Sequence, residues 1–187
     1  MDNRTLGTIA MMCAPALLVE AILTGGEERP LVIGLASMVF MAGWICSNTV
    51  MRRTQAAGTG RWGRAVLLVQ LVGLVLACLF GLFEATGLIG DDNPVFVATD
   101  LAWPLSMLWM LVVGITVVVA KRMSGWRRFV PLLCGLWLPL GIPLEAALGE
   151  QAGSIMFGVS AVFWVLLGYA VRGSSEQTMP APEPAVR

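Results

Sequence analysis

Long apolar runs separated by short polar links dominate this chain. A bilayer core about 30 Å thick needs roughly 20 helical residues rising about 1.5 Å each. Six runs reach that length, at 6–24, 31–51, 65–87, 101–120, 129–148 and 152–171. The pattern predicts an all-α integral membrane protein, with six transmembrane helices in one domain over 1–172. Links such as "GGEERP", "GLIGDDNPVFVATD" and "KRMSGWRR" leave no room for a soluble domain. The stretch "MDNRTLG" lacks a strongly basic leader, and the first run has no small-residue cleavage site at its outer end, so a retained helix is expected there. Residues 173–187, "GSSEQTMPAPEPAVR", have no periodic apolar face and read as a disordered cytoplasmic tail.

Composition agrees with that pattern. The chain is 57% hydrophobic and 13% charged, against roughly 25% charged in an average soluble domain. Twelve basic and twelve acidic residues cancel in total but segregate along the chain. In the six-helix reading, Arg4, Arg52, Arg53, Arg61, Arg64, Lys121, Arg122, Arg127, Arg128 and Arg172 fall on one side, and only Arg29 on the other. Basic residues beside short loops stay cytoplasmic, which places both termini inside a plasma or bacterial cytoplasmic membrane. Trp62 and Trp126 fit interfacial anchors beside the basic loops. The outer links collect Glu27, Glu28, Asp91, Asp92, Asp100 and Glu150. No basic run points to nucleic acid; the partners implied are the lipid bilayer, a proton or cation, and a membrane-protein partner or second copy.

Internal similarity adds a finer expectation. "SMVFM" at 37–41 matches "SMLWM" at 106–110, and a basic pair, Arg52–Arg53 or Lys121–Arg122, follows each serine at the same spacing. "RWGRAV" resembles "GWRRFV", and each leads into a helix that ends near a Glu-Ala pair. These matches predict three parallel helical hairpins, the third most divergent. Chance resemblance among Leu-, Val-, Gly- and Ala-rich helices is the competing explanation.

Repetition draws attention to Glu20, Glu84 and Glu145, which occupy similar depths in the odd-numbered runs. At about 100° per residue, Glu84 shares a helix face with Gln70, Gly73, Ala77 and Gly81. Cys13, Ala16 and Thr24 accompany Glu20, and Cys134, Leu138, Gly141 and Gly149 accompany Glu145. Small residues let membrane helices approach closely, so these faces are expected to meet other helices. An ionised carboxylate in hydrocarbon costs about 2.5–3.5 kcal/mol on insertion scales. It must be protonated, paired or wet. With no histidine, a single lysine at Lys121 and no arginine within the apolar runs, an internal ion pair is nearly excluded. The glutamates, with Gln70, are therefore the substrate- or ion-binding candidates. Equally open is a packing role, each glutamate bonded to a threonine or to a carbonyl freed by Pro15, Pro139 or Pro143.

Other polar features carry less. Asp100 before "LAWP" reads as a helix N-cap with Pro104 in the first turn, and Asp91–Asp92 as turn residues. Asn48 falls near the cytoplasmic side, and Trp44, Trp109, Trp137 and Trp164 read as packing residues. Cys13, Cys46, Cys78 and Cys134 sit on four different runs without CxxC spacing, so neither a disulfide framework nor a thiolate metal site is expected. No haem axial pair, buried Schiff-base lysine or P-loop is present in the sequence, and no cofactor is expected. Two membrane carboxylates are the one route left to acid/base chemistry. A small transporter or channel-like protein is the leading reading, and a non-catalytic membrane subunit, scaffold or sensor is the alternative.

Overall fold

The computed structural model describes residues 1–23, 30–90 and 92–173, apart from the side chains of 20–23, 150, 151 and 154. Thr24, Glu27, Glu28, Arg29, Asp91 and, of the tail expected over 173–187, residues 174–187 lie outside the described residues. The described chain is helical, without strands. Its elements are α1 (Asn3–Cys13), α2 (Ala16–Leu23), α3 (Pro30–Arg53), α4 (Arg61–Thr86), α5 (Pro94–Ala120), a 3-10 turn (Gly125–Phe129), α6 (Val130–Leu148) and α7 (Glu150–Arg172).

Five of these helical stretches are long and apolar enough to cross a membrane: Pro30–Arg53, Arg61–Thr86, Pro94–Ala120, Gly125–Leu148 and Ile155–Arg172. They mark a multi-pass membrane protein. The first apolar run differs from the single helix expected over 6–24. It divides at Ala14–Pro15 into α1 and α2, because Pro15 has no amide to donate to the turn before it. Ala14 keeps helical angles, φ −57° and ψ −38°, and Leu18 N–H resumes bonding to the Pro15 carbonyl at 2.9 Å. The division is thus a kink rather than a reversal.

The start of α5 also departs from expectation. Asn93 caps it, accepting from Val95 N–H at 2.9 Å, and Pro94 supplies the preset backbone angle of the first turn. Asp100 is therefore not the N-cap; it lies inside the helix, as does Pro104. At the other end of the molecule Asp2 caps α1 through a 2.7 Å bond from Thr5 N–H. Hydrogen bonding from Thr5 holds the Asp2 carboxyl below its ordinary range. This cap is fully present above the usual carboxylate range and is lost as pH falls through the lowered value.

Consecutive helices pack side by side in chain order, and α7 returns to α1 and α2 to close a ring, with α3 also touching α7. Close backbone approach sets the antiparallel pairs. A methyl added at Gly34 would lie 2.5 Å from the Gly81 carbonyl oxygen, and one at Gly135 would lie 2.5 Å from Leu111 N. Inside the ring Trp44 and Trp164 meet at 4.2 Å between ring centroids, with Phe40 set edge-on to Trp164 at 5.3 Å. Met41, Leu74, Met107 and Met110 are buried around them. Arg53 Nη1 donates to the Met1 carbonyl at 3.0 Å, and Gly7 lies on the backbone of Arg172. The amino terminus and the last turns of α3 and α7 therefore share one end of the bundle.

Gly34→Leu should destabilise the fold by about 1–3 kcal/mol or more through overpacking. Gly90→Ala, at a position with open space around it, should leave stability unchanged. Thermal unfolding in a mild detergent compares the two, and equal melting temperatures would contradict the close α3–α4 contact.

Candidate functional site

Helix α4 carries the most informative polar face, and two neighbours divide it. Gly73 meets the Ser106 hydroxyl of α5, whereas Gly81 meets the Gly34 carbonyl of α3, 3.0 Å from the position a Cβ would take. Gln70, Ala77 and Gly81 are buried along it, and Glu84 near the helix end is half-buried. Asp100, exposed on α5, lies within electrostatic range of Glu84. Because Pro104 cannot donate a helical hydrogen bond, the Asp100 carbonyl, four residues earlier, is released from the ladder. Two carboxylates and a freed carbonyl thus occur on adjacent helices near one end of the bundle.

Glu145 has different surroundings. It is exposed near the end of α6, and its side chain rests on Gly153 of α7, with Oε2 2.5 Å from where a Cβ would stand there. The side chain of Glu20 lies outside the described residues. The helices that bear the three glutamates, α2, α4 and α6, alternate around the ring, and α3, α5 and α7 lie between them. On the same faces, Cys13 packs on Gly43, and buried Cys134 donates to the Phe163 carbonyl at 3.3 Å. Pro139 and Pro143 both lie inside α6. Among the described residues no three carboxylates or thiols gather as metal ligands.

Gln70 stands apart from the acidic end. Its Nε2 donates to the Ser106 carbonyl at 3.3 Å, while its Oε1 and the Ser106 hydroxyl are buried without hydrogen-bond partners. Gln70 is 1% exposed and Ser106 3%. Both border an open groove of about 750 Å³ between α4 and α5, walled by Val72, Leu76, Leu105 and Trp109. Its walls are largely apolar side chains facing outward, so the groove opens toward the lipid side of the bundle. Two further interhelical bonds hold this region, Asn48 Nδ2 to the Leu67 carbonyl at 3.1 Å and Trp109 Nε1 to the Val66 carbonyl at 3.0 Å.

Sequence reasoning missed Asp100 as a group within electrostatic range of Glu84. The signal was present in Asn93–Pro94, an N-cap followed by an N1 proline, which moves the helix start upstream and carries Asp100 into the helix. The Ser106–Gly73 contact had no comparable signal, because it depends on which faces of α4 and α5 meet.

No protein-family model matches the chain, and neither the curated proteins nor the solved structures show a significant match.

Side-chain hydrogen bonds between membrane helices average about 0.6 kcal/mol. Gln70→Leu should therefore cost no more than about that, since it also removes an unpartnered acceptor. Equilibrium unfolding in detergent micelles measures the change, and a loss above about 2 kcal/mol, beyond the largest values measured for such bonds, would show that Gln70 holds more than the Ser106 carbonyl.

Proposed function

We propose that this multi-pass membrane protein is a small transporter or channel-like protein that binds a proton or small cation at its acidic end. Glu84 is the central group, and Glu20 and Glu145, carried on the alternate helices α2 and α6, are its companion candidates. The observation that carries this reading is half-buried Glu84 with Asp100 within electrostatic range, and with no arginine or lysine at that end among the described residues. A carboxylate in such a place needs a proton, a cation or water to offset its charge. The Asp100 carbonyl released by Pro104 supplies a neutral oxygen of the kind that hard cations favour.

Six spans are part of the proposal, with α1 and α2 together forming the first, kinked one. Clustering of the basic residues at one end supports cytoplasmic termini in a cell membrane. The repeat reading is supported by matched burial, since Ser37 and Ser106, and likewise Met41 and Met110, are buried at corresponding positions. The aromatic and methionine interior blocks a straight polar path, so this arrangement is read as a closed state. Pro139 and Pro143 in α6 offer points at which that helix can bend.

A second reading is a membrane subunit, scaffold or sensor that engages a lipid, a protein partner or another copy of the chain. The groove between α4 and α5 favours it, because its outward-facing apolar walls, Val72, Leu76 and Leu105, leave a space that no helix of the bundle fills. Stoichiometric co-purification of a membrane partner would support it; a monodisperse monomer would weaken it.

In proteoliposomes the parent protein should carry a flux that depends on pH or on a monovalent cation. Glu84→Gln should abolish it without altering the melting temperature, and Asp100→Asn should reduce it. No flux from the parent, or equal flux from the Glu84 variant, would refute the transport reading.

A further inference from the structure

At the end of the bundle opposite Glu84 lies an open cavity of about 740 Å³, bordered chiefly by Asp2, Asn3, Arg4, Arg127, Tyr169 and Arg172. Segments far apart in the chain build it. Gly7 lets α1 lie directly on the last turn of α7, where a methyl would sit 2.7 Å from Arg172 Cα, and this brings Arg4 to the side of Arg172. Arg127 arrives from the 3-10 turn, its guanidinium carbon 2.7 Å from the position of a Cβ on Gly173. Three guanidinium groups thus surround one space. The one carboxylate there among the described residues, Asp2, is committed to Thr5 N–H as a helix cap. Among the described residues, none of the three arginines has an ion-pair partner.

The rim fixes the level of this cavity. Trp126 and Tyr169 stack with ring centroids 6.2 Å apart and planes 10° apart, and are 51% and 46% exposed. Exposed indole and phenol rings at a bundle end are characteristic of the headgroup level, where one part of the ring is apolar and the other wet. A second basic cavity, of about 470 Å³ beside Arg52, Arg53 and Arg64, lies at the same end of the bundle. There Arg53 is engaged by the Met1 carbonyl, so less of its charge is available to a ligand.

We propose that the cavity among Arg4, Arg127 and Arg172 binds the phosphate of an anionic phospholipid headgroup. Arginine presents paired N–H donors in a planar fork that matches phosphate oxygens, and basic pockets between membrane helices on the cytoplasmic side hold such headgroups. The cavity's position level with the aromatic rim favours a lipid over a phosphate ester dissolved in water. This site is independent of the carboxylates of the acidic end.

Native mass spectrometry of the full chain in neutral detergent, titrated with phosphatidylglycerol or phosphatidylcholine, tests the proposal. Phosphatidylglycerol should bind in preference. Each single change, Arg4→Gln, Arg127→Gln or Arg172→Gln, should weaken it about fivefold. The triple Gln variant should lose the preference, the triple Lys variant should keep most of it, and a triple Gln variant at Arg52, Arg53 and Arg64 should retain it. Arg4 lies exposed in the first helical turn, so Arg4→Gln decides the matter if the triple variant does not fold. Equal loss in both triple Gln variants, or no preference in the parent, would overturn the site. Displacement of the lipid by millimolar glycerol phosphate would reassign it to a soluble phosphate ester. Tighter lipid binding after Glu176→Gln with Glu183→Gln would assign the cavity to the chain's own tail and overturn the lipid proposal.

Discussion

Close approach of helix backbones is the constraint on which the rest of this structure depends. Lipid tails are as apolar as leucine, so helices in a bilayer gain little from hiding apolar surface from one another. What remains is dispersion between well-fitted surfaces, which falls off within a fraction of an ångström. Gly34 against Gly81, and Gly135 against Leu111, bring α3 to α4 and α5 to α6 at distances where a methyl would collide. The large residues are left to fill the centre, where Trp44, Trp164 and Phe40 interlock. A ring of consecutive helices with a solid interior follows from this division between thin contact faces and bulky inward ones.

Polar side chains fit into the same economy. Asn48, Gln70 and Trp109 each donate to a carbonyl on a neighbouring helix. A helical carbonyl has a second lone pair, so these bonds form without opening the ladder. The price is paid by the other atoms of the same groups, since Asn48 Oδ1 and Gln70 Oε1 remain buried and unpartnered, as do the indole N–H groups of Trp44, Trp137 and Trp164. Glu84 follows a different rule. It lies near the end of α4, and the charged group within electrostatic range of it, Asp100, has the same sign.

Apolar run length made the helices from α3 onward legible in the sequence, because the bilayer sets one length scale for all of them. Boundaries were less legible where caps decide. Asn93–Pro94 starts α5 well before its strongly apolar part, which turns Asp100 from a cap into an interior residue. The kink at Pro15 was visible as a proline, but its division of the first run depends on geometry that periodicity does not carry. For the site, periodicity put Gln70, Gly73, Gly81 and Glu84 on one face correctly in angle. It could not say that this face is shared between α3 and α5, nor that Arg4, Arg127 and Arg172 surround one cavity. Such placements depend on ring closure, which is a property of the whole chain.

That closure has a temporal side. The main interfaces from α3 to α7 join helices adjacent in sequence, so each can form as soon as the second partner enters the membrane. The seam between α1 and α7 joins the two described helices farthest apart in the chain, and a contact so distant in sequence forms late. Until α7 arrives, α1 has lost half its neighbours and the face around Gly7 stays open to lipid or to another protein. A ring closed in this way stays open along the α1 edge until α7 is in place, and that edge is where a temporary companion would matter most.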